Sequence, residues 1–350
     1  MSTLDEHGGW PALLTTLLSG DDLPDAMART AVSAILADEA TAAQIAGFLI
    51  ALRAKGETAD ELAAMLGVVL EAASVVPLTD AERSTAIDIV GTGGDGLHSI
   101  NVSTMAALVV AGAGVPVCKH GNRSASSKCG AADVLELLGV IVEQTPEAVA
   151  RSVREIGMGF CYAPAFHPAF RFAGPPRREL GVPTAFNLLG PMANPGRIKR
   201  QLIGVADQRF AGAMIGALRR QGLTDAWVVH GDGFDEITTT GPTRVLALAD
   251  GEIDEFEIDP GSFGLAPATP SDVAGGAPAE NADAIRRVVA GDTGPHRDIV
   301  MINAAAALVI AGRASTIPEG LDIAAAAIDD GSASDLLDRL VAASSGRVAS

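Results

Sequence analysis

Residues 85–128 read TAIDIVGTGGDGLHSINVSTMAALVVAGAGVPVCKHGNRSASSK, and the texture of this stretch sets the fold class. The β-branched run 85–90 is strand-like, a glycine-rich turn follows, and residues 103–113 are apolar at helical spacing. A second short apolar run, 115–118, leads into another polar loop. Strand, crossover helix and strand together make the unit of a parallel sheet covered on both faces. In such sheets, ligand-binding residues gather at the carboxyl ends of the strands.

Downstream, the pattern repeats. Strands are predicted over 159–162, 201–205 and 226–230, with helices over 131–138, 146–156 and 209–221 between them. Residues 243–259 alternate apolar and acidic side chains and predict an antiparallel pair at the sheet edge. Residues 260–282, rich in Gly, Pro, Ala and Ser, predict a surface loop, and three Ala-rich helices near 282–290, 297–312 and 318–344 close the chain. Upstream, residues 11–75 are helical throughout, with helices expected over 25–37, 42–55 and 59–73. Thr41 with Gln44 and Thr58 with Glu61 have capping-box spacing. The expected fold class is therefore α/β: a small all-helical domain over 1–78 and a larger α/β domain over 79–350 with a mostly parallel central sheet.

With 350 residues, 48% hydrophobic and 19% charged, the chain has the composition of a globular protein. Its longest apolar stretches, 106–118 and 304–312, fall short of the roughly 18 residues that span a bilayer. The acidic start MSTLDEHGGW lacks the basic and apolar regions of a secretory signal, so a cytoplasmic location is expected and no membrane partner. Cys118, Cys129 and Cys161 show no CxxC spacing, which argues against both disulfides and a thiolate zinc site. A net charge of −18 disfavours nucleic acid as a partner. Against that background, Lys119, His120, Arg123 and Lys128 form a local cationic patch with no acid among them.

Five motifs carry candidate chemistry. Gly91-Thr92-Gly93-Gly94-Asp95-Gly96 follows a strand, where glycines permit positive φ and consecutive amides form an anion nest. A dinucleotide fingerprint fits less well. Residues 97–100 delay the helix start, and Cys118-Lys119-His120 stands where an acid is needed for the ribose. Asn101-Val102-Ser103-Thr104 opens an apolar helix, as simple caps or as a phosphate site at a helix N-terminus. Residues 119–128, KHGNRSASSK, offer many hydrogen-bond donors for an anion beside the glycine loop. Asp232-Gly233-Phe234-Asp235-Glu236 supplies hard oxygen ligands suited to Mg²⁺. Finally, His167 to Pro191 contains Arg177 and Arg178, and an arginine can clamp a carboxylate with two parallel bonds. The residues alone do not choose between these two arginines.

Taken in order, GTGGDG at 91, NVST at 101, KHGNRSASSKCGAADVLELLG at 119, HPAFRFAGPPRRELGVPTAFNLLGPMANP at 167 and VHGDGFDEIT at 229 resemble the anthranilate phosphoribosyltransferase family. This family shares a fold group with pyrimidine nucleoside phosphorylases. The similarity extends upstream to AQIAGFLIALRAKGET at 43 and covers nearly the whole chain.

The resemblance implies a helical domain beside an α/β domain, with residues 177–197 returning to the helical part, and a homodimer. It implies transfer of the phosphoribosyl group of PRPP to the amine of anthranilate with Mg²⁺. Carried across motif by motif, PRPP would be held by Gly91, Gly94, Asp95, Ser99, Asn101, Val102, Ser103, Thr104, Lys119, His120, Gly121, Asn122, Arg123, Ser124, Ala125, Ser126 and Ser127. Magnesium would fall to Ser103, Asp235 and Glu236, and anthranilate to Gly91, Asn122 and Arg177. His120 has two readings, proton acceptor or loop-orienting residue. Ser99 stands where the family often has Thr, and Ala131 where it often has a PRPP-contacting Ser. The alternatives are a pyrimidine nucleoside phosphorylase-like enzyme and a non-catalytic nucleic-acid-binding relative.

Overall fold

The N-terminal stretch forms α1 (Gly9–Leu18), α2 (Asp25–Leu36), α3 (Ala42–Lys55) and α4 (Ala59–Glu71) in the computed structural model, which describes residues 3–124 and 128–346. Thr41 and Thr58 close capping boxes with Gln44 and Glu61 as their spacing predicts, satisfying amides that a helix start leaves open. A third box, Thr79 with Glu82, starts a short helix α5 (Asp80–Thr85). The first strand therefore begins at Ile87 rather than residue 85.

Strand and helix then alternate through β1 (Ile87–Gly91), α6 (Val102–Gly112), β2 (Val117–Gly121), α7 (Ala131–Leu137), α8 (Pro146–Ile156) and β3 (Met158–Tyr162). Three short helices follow, α9 (Ala163–Phe166), α10 (Gly174–Leu180) and α11 (Ala185–Met192), before β4 (Arg200–Gly204), α12 (Ala211–Arg220) and β5 (Asp225–Gly231). An antiparallel pair, β6 (Thr243–Ala249) and β7 (Glu252–Ile258), completes the sheet. The chain closes with α13 (Pro278–Val289), α14 (Pro295–Ile310), α15 (Ile317–Asp329) and α16 (Ser332–Ser344).

The sheet order is β3-β2-β1-β4-β5-β6-β7, with parallel pairing from β3 to β5. From β1 the chain winds one way to β2 and β3, then returns on the other side to β4 and β5. The topological switch lies between β1 and β4, where a crevice at the strand ends can take a ligand.

Alternation along each strand divides the apolar side chains between two faces. Ile87, Ile89, Val117 and Leu202 pack with α6 and α14 on one face, whereas Ile203, Val228 and Leu246 pack on the other with α12 and the N-terminal helices. Asp88, between the two isoleucines, is completely buried. On the second face, α4 packs against both α2 and α12, so the core of the N-terminal helices runs on into the sheet. Ala185, Phe186 and Leu189 of α11 join that core, and α10 packs on α3.

Two expectations need correction. The closing stretch 318–344 is two helices, because Gly331 takes a left-handed conformation (φ 84°) that an α-helix does not accommodate. Residues 260–282 are not simply a surface loop: α13 starts at Pro278, and Val273 is fully buried, its carbonyl accepting the Ile100 N–H. The strand-like bridge Ser99 to Ala274 holds this segment in place.

Because α4 joins the helices to α12, Leu62 at its buried centre is a sensitive position. Leu62→Ala is expected to cost about 2–5 kcal/mol from lost transfer energy and the residual cavity. The check is a lower urea midpoint with unchanged denaturant slope.

Candidate active site

Gly91 ends β1 and Gly204 ends its neighbour β4, paired in register. Neither has a side chain, and the segment after β5 occupies the space. A Cβ on Gly204 would overlap the Asp235 carbonyl, and one on Gly91 would overlap the Asp235 carboxylate. Asp235 is thereby seated at the switch point, where its Oδ2 accepts the Gly93 N–H at 2.7 Å.

These segments open onto a cavity of about 340 Å³. The structure brings Gly91, Gly94, Asp95, Ser99, Asn101, Ser103, Lys119, His120, Gly121, Asn122, Arg123, Ser124, Arg177, Asp235 and Glu236 to its walls. Val102 and Thr104 are not among them. Both side chains are fully buried, Val102 in the core and Thr104 with its hydroxyl unpartnered. The expectation for these two reduces to what a helix N-terminus offers through its backbone. Ala125, Ser126 and Ser127 lie outside the described residues.

Carboxylates crowd one part of the cavity. Burial and the neighbouring charge of Asp95 push Asp235 up to about 6. Burial and then the charges of Asp235 and Asp95 push Glu236 well above the carboxylate range. Asp95 accepts the Leu97 N–H through Oδ1 at 3.1 Å, while its Oδ2 is buried without a partner.

The cationic patch read from residues 119–128 separates into different roles. Lys119, 1% exposed, turns inward, and its Nζ donates to the Ile89 carbonyl and to Ser103 Oγ at 3.3 Å. Burial lowers its pKa, against the opposing charges of Asp88 and Glu236. His120 is held well below the usual histidine range by burial and then by His167 and Lys119, so it is neutral, and its Nε2 has no partner. Arg123 is committed elsewhere: it pairs with Glu136 at 2.7 Å and Asp133 at 3.0 Å on α7, and donates to Tyr162 Oη. Arg123 thus lines the cavity while bracing the loop against α7. Asp133 closes the loop from inside, its Oδ2 accepting the N–H groups of both Ser124 (3.1 Å) and Gly130 (2.9 Å).

The choice between the two arginines is settled by burial. Arg178 is exposed, whereas Arg177 is half-buried and lines the cavity. Its Nη2 donates to Asn187 Oδ1 at 3.2 Å, its Nε is buried without a partner, and no carboxylate pairs with it among the described residues. The guanidinium carbon lies 5.4 Å from the centroid of the Phe186 ring, itself edge-on to Phe170.

Phe170, Phe186, Asn187 and His98 also line the cavity and were not singled out from the sequence. The aromatic wall had a signal. Only 4% of the chain is Phe, Trp or Tyr, yet His167, Phe170 and Phe186 form consecutive ring contacts beside Arg177. A larger cavity of about 580 Å³ between α8 and α16 has no unpartnered buried polar group among its described lining residues. It offers no comparable chemistry.

Beneath the site, Asp88 accepts the His120 N–H at 3.0 Å and the Asn194 amide at 2.9 Å. Burial pushes Asp88 from an ordinary 3.8 up to about 6, against the opposing pull of Lys119 and these hydrogen bonds. The fold therefore holds this proton more tightly than the unfolded chain does. Its stabilising effect is complete below about pH 4 and is lost as pH rises through about 6, a span on the order of 3 kcal/mol. Asp88→Asn is expected to flatten the fall in unfolding free energy across that window, measured against wild type by urea titration at successive pH values. Parallel profiles would contradict it.

Comparison with known proteins agrees with this architecture. The family described as "Glycosyl transferase family, helical bundle domain" matches residues 11–73, and "Glycosyl transferase family, a/b domain" matches residues 83–334. An anthranilate phosphoribosyltransferase from Salinispora arenicola is 50% identical over 337 residues, covering 95% of this chain and 96% of the relative. The crystal structure of anthranilate phosphoribosyltransferase from Thermus thermophilus superposes with a TM-score of 0.89 at 40% identity, covering 95% of this chain and 99% of that one. The Saccharomyces cerevisiae enzyme in complex with PRPP and Mg superposes with a TM-score of 0.88 at 28% identity, covering 98% and 99%. These relatives give no support to the phosphorylase or nucleic-acid-binding alternatives. With a relative at 50% identity over nearly its full length, the chain belongs to the anthranilate phosphoribosyltransferase family.

Proposed function

We propose that the chain transfers the 5-phosphoribosyl group of PRPP to the amino group of anthranilate, giving N-(5-phosphoribosyl)anthranilate and pyrophosphate for tryptophan biosynthesis. The observation that carries this reading is a single cavity with two kinds of wall. One combines the glycine loop, Lys119 and the acids, suited to a metal-bound pyrophosphate, and the other sets the unpaired Arg177 beside Phe170 and Phe186, suited to an aromatic carboxylate.

The acidic residues fit a divalent cation. Asp95, Asp235 and Glu236 crowd one another, and Asp95 Oδ2 has no partner. Among the described residues no group of three His, Cys, Asp or Glu side chains is arranged to hold a metal unaided. Mg²⁺ commonly keeps several waters and is shared with substrate phosphates. Asp235, Glu236 and the Ser103 hydroxyl would hold it. When bound, Mg²⁺ supplies positive charge where the departing pyrophosphate gathers negative charge.

The chain's own groups do the rest. Lys119 is fixed by the Ile89 carbonyl and Ser103 as a point charge for phosphate, while amides of the glycine loop and the α6 N-terminus receive the remaining oxygens. Arg177 clamps the carboxylate of anthranilate and so aims the adjacent amine at the ribose, contributing the entropy of alignment. An arylamine is neutral near neutral pH and needs no strong base before it attacks C1 with inversion. Burial disfavours protonation of His120, which orients the loop after β2, and the proton released as the C–N bond forms passes to the departing pyrophosphate or to water.

The proposal includes a cytoplasmic homodimer. No helix among the described residues is long and apolar enough to cross a membrane. Leu18 on α1 and Ile50 on the adjoining α3 are exposed and apolar, a face suited to a second copy.

Purified protein mixed with PRPP, Mg²⁺ and anthranilate is expected to deplete anthranilate fluorescence only when all three are present. Constant fluorescence with folded protein would sink the proposal. Arg177→Ala is expected to raise the KM for anthranilate by roughly 10- to 100-fold, the worth of a charged hydrogen-bond clamp, with little change in that for PRPP. Equal rises in both KM values would refute the assigned role.

A further inference from the structure

The side chain of Asn101 does not cap its own helix. Its Nδ2 donates to the Cys129 carbonyl at 3.2 Å, across to the end of the loop that starts at Lys119. Its Oδ1 accepts from Asn281 Nδ2 at 2.8 Å and from Cys129 Sγ at 3.4 Å. One amide therefore spans the two anion-binding segments, and a second amide, 180 residues later in the chain, holds it in that orientation.

Asn281 lies in the first turns of α13 and is 3% exposed. Its own Oδ1 accepts the Gly276 N–H at 2.7 Å. The segment it anchors is laced to the exit of the glycine loop by backbone bonds, Ile100 N–H to the Val273 carbonyl at 3.1 Å and Gly275 N–H to the His98 carbonyl at 2.7 Å. The approach is close: a Cβ on Gly275 would stand 2.7 Å from the Ser99 carbonyl and 3.0 Å from Asn281 Oδ1. Ser99, Asn101, Cys129 and Gly130 all line the cavity, whereas Asn281 does not.

We infer that Asn281 is a positioning residue for PRPP binding: by donating to Asn101 and accepting from Gly276, it sets the spacing between the glycine loop and the loop that follows β2. The inference rests on the PRPP reading of this cavity. Losing the Asn281 donor frees the Asn101 amide to rotate, and with it the bond to the Cys129 carbonyl that joins the two segments. A buried polar group left unpaired is expensive, so the pair is held in one arrangement before substrate arrives. Arg177 and the aromatic wall, assigned to the carboxylate and ring of anthranilate, share no hydrogen bond with this chain of bonds, although Asn122 lies in the loop it spaces.

The test uses the full-length protein. Asn281→Asp keeps the acceptor for Gly276 but turns an acceptor toward Asn101 Oδ1, and Asn281→Ser removes the amide without adding charge, as the second variant where the first folds poorly. Either is expected to weaken PRPP binding roughly tenfold, by calorimetry and in the KM for PRPP, with the KM for anthranilate within about twofold of wild type. In an Asn101→Ala background the same substitution is expected to add little, since residues acting through one another are non-additive. Unchanged PRPP affinity, equal rises in both KM values, or full additivity with Asn101→Ala would each overturn the inference. Wild type in the same assays separates the two readings: if it neither binds PRPP nor turns over, the functional proposal itself fails, and if it does both, the variants report on Asn281 alone.

Discussion

Two missing side chains make the site possible. At the carboxyl ends of β1 and β4, Gly91 and Gly204 leave room for the backbone and carboxylate of Asp235, which come from the far side of β5. Any larger residue at either position would displace the acid to which the Gly93 amide of the glycine loop donates. The crevice between oppositely wound halves of a parallel sheet is a general place for ligands. Here it is also where the carboxylates of Asp95, Asp235 and Glu236 crowd together, Asp235 buried and the other two partly exposed, an arrangement suited to a divalent cation.

An acidic protein that binds a polyphosphate need not do so with a basic surface. The loop following β2 looks cationic in one dimension, yet folding assigns its charges to different tasks. Lys119 is buried beneath the cavity, Arg123 is spent on Glu136 and Asp133, and His120 is neutral. What the described part of the loop offers an anion is the confined ammonium of Lys119, the exposed Lys128 and a set of backbone amides. A confined charge acts through low-dielectric surroundings and is screened less by salt than surface lysines would be.

Behind the groups that face the cavity stands a layer of buried polar side chains that fixes them. Asp88 and Asn194 tie β2 to the segment after α11, and Asn101 and Asn281 tie the two loops to α13. Each of these is an amide or carboxylate whose partners come from sequence-distant segments, so its role has no local signature. Asn281 falls, from the sequence, at the end of the predicted surface loop 260–282. The segment 273–276 reads as surface loop, although Val273 is fully buried.

Much was nevertheless legible in the order of residues. Periodicity of two and of 3.6 located β1 to β5 and, between them, α6, α7, α8 and α12 within a few residues, because those periods are imposed by backbone geometry at short range; the short helices α9, α10 and α11 were not read from it. Capping boxes at Thr41 and Thr58 were readable for the same reason. The glycine loop, the helix start after it and the acids at 235–236 read as candidates for anion and metal chemistry from adjacent residues alone, and folding brings them to one cavity. By itself, then, the sequence determined the elements, their alternation and the motifs at the strand ends. Tertiary structure alone decided that Arg123 is taken up by α7, that Val102 and Thr104 are buried, that Asn281 braces Asn101, and that Arg177, which the family resemblance had named, is half-buried at the cavity while Arg178 is exposed. Those outcomes depend on which distant side chain arrives as a partner, and burial and pairing across the fold are properties that no local run of residues contains.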